Sequence, residues 1–516
     1  MKIKFYGHNC YLLSDGDIGL LIDPWLNHRG AFWGSWFQWP LNHHLLPDLQ
    51  NEIKDLREVF LYISHEHGDH FDISTIENIG PLITKCIIPD YNDKYLKNTV
   101  QGLGLSFVEI GDNETYKLSN NADIKILKVD TGVNHDSTAI IRLAGELFVN
   151  QNDCKIFDRL ALLKDVDVDY YSVQFSGATA HPVCFKMNSS EKVRISKRKK
   201  LSKLTAIRDA IELIQPKYYL PSAGPAVFPF LDHSFTLDED NIFIHQETVA
   251  KFLRNGSSKL ISLHPGDIFD PEENYPLIER ATVDSLELME SSLVCDWYNV
   301  EGSTIDVENL LTQVRERLLQ IKDIAFEECP MIFFDWEDGG LLIDLNRKLV
   351  KIINGPISVE DNYMRVSACK RYFNLLADSG NRWQEVYLTL RATYDRSPIT
   401  FNTFVNLFLF SDVSNIRSGF LTTLSIADER MTVVNPVDGK NYEVNRYCPH
   451  NGADLSSVEA DSNGRIRCPR HGWLFDINNG GRCVSAEVSL DAKEIEVVTT
   501  LCETISVRLT RVHHDS

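Results

Sequence analysis

The sequence predicts an α/β protein with three parts: an alternating strand–helix domain, a mixed α/β middle segment and a small all-β domain at the carboxyl end. Three observations carry this reading. Residues 1–270 alternate between strand-like and helix-like patterns. Within them an apolar, β-branched and aromatic run, residues 58–63, reads as a buried strand that stops at Ser64-His65-Glu66-His67-Gly68-Asp69-His70. After about Ser411 the sequence becomes strand-rich, and two Cys/His pairs stand inside that stretch.

In chain order, 2–6 and 11–22 read as opening strands, closed by Asp23-Pro24-Trp25-Leu26. The next tract carries Trp25, Phe32, Trp33, Trp36, Phe37 and Trp39, either a substrate wall or lid or a loop pinned onto the core. Strands are expected at 123–128, 138–143 and 146–150, and helices at 73–79 and 201–214. In the middle segment, 271–412, short strands at 331–334 and 341–343 flank an acidic turn. There 363–379 and 382–410 read as helical; Trp383, Tyr387, Leu390 and Tyr394 fall at helical spacing, the pattern of a core-facing stripe. This segment would shape a substrate pocket or join subunits of a homo-oligomer. The last domain, 413–511, has expected strands at 420–426, 431–436 and 442–447.

Length and charge bound the function. A chain of 516 residues has room for two to four domains. A net charge of −21 argues against nucleic acid or an anionic membrane as general partner. No apolar run of transmembrane length is evident, and the opening residues lead straight into fold-like sequence. Eleven scattered cysteines do not form a disulfide framework, so a cytoplasmic location is expected. The basic tract Arg194–Lys200 reads as a solvated helix start, or else meets a substrate phosphate or an acidic redox partner. No Gly-rich dinucleotide fingerprint follows a strand, which leaves electron delivery from NAD(P)H to a partner reductase or ferredoxin.

The His-x-His-x-Asp-His stretch packs three imidazoles and a carboxylate into six residues past a strand end, a donor set that suits zinc or iron. His135, Asp153 and His264 are further candidates, each near the end of a strand-like run, so that they could converge on one sheet edge. Here the chain resembles the metallo-β-lactamase fold, an αββα sandwich. That resemblance implies that His65, His67 and His135 hold one metal, that Asp69, His70 and His264 hold a second, and that Asp153 bridges them. Asp69 and His70 are the catalytic candidates. Members of that fold are zinc hydrolases for the most part, and some are iron proteins that handle oxygen. His8 resembles a position common in lactonase-like relatives, where it would support the ligands rather than bind metal.

Cys448-Pro449-His450 and Cys468-Pro469-Arg470-His471, followed by Gly472-Trp473-Leu474-Phe475-Asp476, resemble the Rieske [2Fe–2S] motif. The resemblance implies that Cys448 and Cys468 hold one iron and His450 and His471 the other. A zinc site built from the same four residues is the alternative.

A hydrolase has no use for a one-electron cluster, so a redox-active non-haem iron is favoured over zinc in the first domain. The expected activity is an O2-dependent monooxygenase with a mono- or di-iron site. It would hydroxylate or N-oxygenate a small polar metabolite, a nucleotide sugar or a natural-product intermediate. A zinc hydrolase with a regulatory Rieske domain is the alternative, and an electron carrier a third reading. The chain also resembles the CMP-N-acetylneuraminate hydroxylases, through Asp23-Pro24-Trp25-Leu26, Tyr62–His70, Gly132-Val133, Asn152-Asp153-Cys154, Ser176-Gly177-Ala178 and Pro221-x-Ala223-Gly224. It departs from them in carrying the Rieske domain last, and in His181 and His264, where an added histidine would complete a second iron site.

Overall fold

A computed structural model describes residues 1–130, 135–254, 256, 258–292, 304–326, 329–359, 361–398, 401–449, 452–470, 472–484 and 488–495. The first sheet opens with β1 (Lys2–Gly7), β2 (Cys10–Asp15) and β3 (Ile18–Ile22), antiparallel neighbours. After the two-residue β4 (Phe37–Gln38), which pairs elsewhere, β5 (Glu58–Tyr62), β6 (Lys85–Pro89) and β7 (Phe107–Ile110) continue it in parallel. The second sheet contains β8 (Thr115–Lys117), β9 (Asp123–Asp130), β10 (His135–Leu143), β11 (Glu146–Asn152), β12 (Tyr170–Gln174) and β13 (Tyr218–Ser222) in chain order. Strand β14 (Ala226–Val227) pairs with β4, and β15 (Lys259–Leu260) ends the second sheet.

Side chains that alternate along each strand explain why both sheets are covered on both faces. Phe60 and Tyr62 of β5 point between the sheets, against Ile126, Ile141 and Phe148. Val59, Leu61 and Ile63 point the other way, against α1 (Leu46–Lys54), α2 (Ile73–Ile79) and α3 (Tyr95–Gly102). On the outer face of the second sheet, Leu147, Val149 and Tyr171 meet Leu204, Ile207 and Ile211 of α4 (Ser189–Ile214). This is the expected αββα sandwich. Short α5 (His233–Thr236), α6 (Gln246–Leu253) and α7 (Val283–Ser292) occupy the later connections.

A third sheet follows in the order β18-β17-β16-β19-β20, from β16 (Met331–Asp335), β17 (Gly339–Asp344), β18 (Leu349–Asn354), β19 (Tyr363–Ser367) and β20 (Thr393–Ser397). Its core draws on α8 (Val307–Gln320), α9 (Lys370–Ala377), α10 (Trp383–Leu388), α11 (Thr403–Phe410) and α12 (Val413–Ala427). Two expectations are corrected here. The expected helices over 363–379 and 382–410 are interrupted by β19 and β20, which pair antiparallel. Residues 363–367 alternate partly and fully buried positions, a strand period, so pairing with the parallel β16 overrides helix propensity. The expected strand at 420–426 is instead part of α12, with Ile416 and Phe420 buried one turn apart on its inner face.

The aromatic tract is pinned to the core: Trp25, Phe32 and Trp36 are buried in the cluster that also contains Phe334 and Trp383, and Trp36 Nε1 donates to Leu388 O at 2.7 Å. The same cluster therefore joins the sandwich to the third sheet. The carboxyl-terminal part has two small sheets, one of β21 (Arg430–Val434), β22 (Asn441–Asn445) and β26 (Lys493–Ile495), the other of β23 (Arg465–Arg467), β24 (Leu474–Asp476) and β25 (Arg482–Cys483).

Arg317 of α8 is fully buried, stacked 4.1 Å from the Trp383 ring; its Nε donates to Phe408 O at 2.8 Å and its Nη2 to Ser411 O. It thus places a cation at the carbonyl end of α11. Burial draws its pKa down to about 9, with Asp412 opposing. Arg317→Ala, which strands those carbonyls and opens a cavity, is expected to cost about 3 kcal/mol. A denaturant titration followed by tryptophan fluorescence measures it.

Candidate metal centre

Asp23 follows β3 at φ +39 and is fully buried. Its carboxylate accepts from Ser64 N (2.8 Å), Ser64 Oγ (2.6 Å) and Asn9 Nδ2 (2.8 Å), and lies 2.8 Å from His70 Nδ1. The loop after β5 is thereby fixed at both ends, and a short turn between them closes with His70 N and Phe71 N donating to His67 O. With Nδ1 committed to Asp23, His70 presents Nε2 to the site.

Around that nitrogen two sets of donors converge, each with its ligand atoms within 4.8 Å of one another: His8, Asp69 and His70, and His65, His70 and Asp153. His70 Nε2 lies 3.3 Å from Asp153 Oδ1 and 3.8 Å from Asp69 Oδ2, and His8 Nε2 lies 3.1 Å from Asp69 Oδ2. His65 Nε2 is 2.9 Å from His67 Nδ1, which attaches His67 to the second set. His70 Nε2 and Asp153 Oδ1 are both buried without a hydrogen-bond partner despite facing each other. Orphaned donor atoms of this kind, imidazole and carboxylate aimed at one point, fit a bound zinc or iron ion.

The electrostatics agree. Burial alone would lower the pKa of His70, yet Asp153, Asp69 and Asp23 overcome it and raise it to about 10. Burial resists the charge of Asp69, but His70 and His8 hold its carboxyl below the usual range. Burial, with His70 beside it, pushes His65 down to about 4. Several acids thus gather about one position and call for a cation.

The structure separates the remaining candidates. His135 faces Glu66 (3.3 Å) and Asp130 (3.4 Å) and stacks on Tyr91, outside both donor sets. His264 stands outside both donor sets: its side chain is a third exposed and its Nδ1 is 3.6 Å from Asp267. Its loop is tied to β1, where Gly266 N donates to Phe5 O and Phe5 N to Asp267 O. His8, expected to act only in support, takes the place beside Asp69 and His70. Gly7-His8 forms a positive-φ turn with a register shift between β1 and β2, and this swings the ring inward. Sequence reading missed Glu66 and Arg382 altogether; they pair at 2.7 Å, and Arg382 also holds Asp412. Glu385, beside them, is raised to about 7, by burial first and then by Glu66, Asp412 and Asp69, against Arg382.

In the carboxyl-terminal part, Cys448 and Cys468 are buried on two loops with the same wiring. Gly452 N donates to Cys448 O and Cys448 N to Ala453 O; Gly472 N donates to Cys468 O and Cys468 N to Trp473 O. Gly452 and Gly472 sit at φ +62 and +68, where glycine is favoured. Two equivalent loops, each presenting a thiol, fit a cluster bridged between them. His450, His471, Gly132 and Val133 lie outside the described residues.

The family profile of the Rieske [2Fe-2S] domain matches residues 406–495, and that of the beta-lactamase superfamily domain matches residues 2–146. The chain carries both domains. A Rieske 2Fe-2S iron-sulfur protein of Mycolicibacterium smegmatis is similar along its length, 25% identical over 94% of this chain and 98% of that protein. A cytidine monophosphate-N-acetylneuraminic acid hydroxylase of Danio rerio is 26% identical over 43% of this chain and 38% of its own. A cholesterol 7-desaturase of Hemicentrotus pulcherrimus is 29% identical over 20% of this chain and 22% of its own. Among the described residues no helix is long and apolar enough to cross a membrane.

Metal titration separates the two arrangements of ligands. His70→Ala and Asp153→Asn are expected to weaken metal binding by about 100-fold or more, and His8→Ala by about 10-fold or more, whereas His264→Ala should leave it unchanged. Equal losses from His264→Ala and His8→Ala would restore the arrangement expected from sequence.

Proposed function

We propose that the chain is an oxidoreductase, a Rieske-coupled non-haem iron oxygenase. A separate reductase or ferredoxin charges the carboxyl-terminal cluster, and a small polar metabolite is hydroxylated or N-oxygenated at a mono- or di-iron centre in the metallo-β-lactamase-fold domain. The names of the Danio and Hemicentrotus relatives both denote oxidations and support the reaction class.

The observation that carries this reading is the seating of the cluster loop on the metal domain of the same chain. Gly472, next to His471, accepts from Ser202 Oγ of α4 at 2.9 Å. On the other side of His471, Arg470 Nη2 lies 3.5 Å from Asp158 Oδ2. Asp158 opens the 3-10 helix Phe157–Leu163, a few residues after Asp153. The cluster loop is thus clamped between the segment that presents a metal ligand and the helix that packs behind it. A zinc hydrolase gives no reason for such a clamp.

When bound, the cluster would supply single electrons and the iron would supply O2 activation, chemistry that puts one oxygen atom into substrate and, with two electrons from the reductase and two protons, releases the other as water. The protein's own residues prepare the site. Asp23 fixes the tautomer and direction of His70. Phe32, edge-on to His67 at 6.3 Å, helps to keep that side dry. Arg382 balances Glu66 and Asp412. Glu385, with a pKa near 7, can hold a proton below neutrality and release it above.

Metal analysis with low-temperature EPR before and after dithionite tests the reading: a Rieske signal with iron in excess of the cluster pair is expected. A Rieske signal beside stoichiometric zinc would refute it. The double variant Ser202→Ala/Arg470→Ala is expected to slow electron transfer from cluster to iron by about tenfold or more while retaining the Rieske EPR signal. The pH profile of reoxidation of the reduced protein by O2 should show an ionisation near 7 that Glu385→Gln, uncharged at every pH, removes.

A further inference from the structure

Most of the basic tract on α4 is accounted for at the surface. Arg194 pairs with Glu191, Lys197 with Asp240 at 3.0 Å, and Lys200 donates to Glu239 O. Arg198 donates to Val484 O in the Rieske domain. Lys199 and Lys203, one turn apart, are different. Lys199 Nζ donates to His181 O at 2.6 Å and Lys203 Nζ to Gln174 Oε1, both neutral acceptors. Among the described residues no carboxylate lies within 4.0 Å of either ammonium.

Two more cations face them. Arg396 of β20 stacks 4.9 Å from the Phe185 ring, and its Nε is buried without a hydrogen-bond partner. Lys155 stands two positions after Asp153 and repels both lysines. Burial, then Lys155 and, for Lys199, Arg396, bring the two lysines down to about 7, with Asp153 opposing for Lys203. The lysines and Arg396 nevertheless keep partial contact with solvent. Groups surrounded by protein yet reached by water line a cleft. A protein that gathers like charges there without a counter-charge holds them at a cost to its own stability. The nearby carboxylate, Asp153, belongs to the candidate metal centre, so a bound metal would leave the cleft more positive still.

We propose that Lys199, Lys203 and Arg396, with Lys155 at the rim, form an oxyanion-binding subsite that anchors a phosphate or carboxylate group beside the metal centre. Only the statement that this anion is part of the substrate rests on the oxygenase reading. The lysines would hold it by charge and Arg396 Nε by a directed hydrogen bond.

Isothermal titration calorimetry of the full chain as isolated, with inorganic phosphate in one arm and succinate in the other, tests the subsite without turnover. Saturable binding in either arm is expected, weakened about tenfold or more in Lys199→Met/Lys203→Met and unchanged in Lys197→Met. Binding of phosphate alone assigns a phosphate ester, of succinate alone a carboxylic acid, and of both a general oxyanion. In anion-free buffer the double variant should melt no lower than the parent, because it removes unpaired like charges. Should it fail to fold, Arg396→Gln carries the same binding test. No saturable binding of either anion, or equal affinity in parent and variants, overturns the subsite. Anion binding in a protein that holds zinc instead of iron would leave the subsite standing and remove the oxygenase.

Discussion

The architecture of the site depends on one buried carboxylate. Asp23 directly follows β3, and β3 pairs in parallel with β5, so its side chain and the start of the metal loop leave neighbouring strands at the same edge. A charge enclosed this fully is tolerated only when its lone pairs are used. Asp23 uses them on Ser64, Asn9 and His70, which belong to the loop after β5 and the β1–β2 turn. The same set of bonds settles which imidazole nitrogen points inward. Tautomer, loop path and strand edge are therefore one constraint, and a change at Asp23 would disturb all three.

Much of this was legible in the sequence because it is local. A strand followed by His-x-His-x-Asp-His, and Cys/His pairs at fixed spacing with glycine after them, carry their geometry in short stretches of chain. The αββα layers were legible for a similar reason: strand alternation at Val59–Ile63 and helical spacing at Leu204–Ile214 state which faces are covered. What failed is non-local. Residues 363–367 have a short pattern compatible with either period, and the partners β16 and β20, distant in sequence, decide it. For His264 the local pattern does not decide whether it joins the ligands, because its loop is positioned by backbone hydrogen bonds to β1, distant in sequence. His8 was legible as a supporting residue, but the positive-φ turn that brings it to Asp69 exists only once β1 and β2 pair.

Helix α4 shows how one element serves several ends. At 100° per residue, Leu204, Ile207 and Ile211 share the face on the second sheet. Arg198 and Ser202, one turn apart, share a stripe that holds the Rieske domain. Lys199 and Lys203 form the adjacent stripe toward His181 and Gln174. A tract that reads as a plain basic helix start is thus divided by the helical period between surface, domain contact and cleft, a division that charge counting along the sequence does not reveal.

The middle segment belongs in the same account. Arg382, at the amino end of α10, neutralises Glu66 from inside the metal loop and Asp412 from the approach to α12. Without it Glu66, a buried acid between His65 and His67, would be left with His135 as its partner and lose its strongest counter-charge. The third sheet is joined to the sandwich by backbone as well, since Lys186 N donates to Tyr394 O and Tyr394 N to Cys184 O. Arg396 reaches the cleft from that same strand. The metal loop, its charge balance and the cationic cleft therefore draw on residues from both sides of this junction, and the Rieske domain closes over a helix that belongs to one side only. The chemistry inferred for the chain is accordingly a property of the packed whole: removing the middle segment would take away charge balance before it touched any ligand.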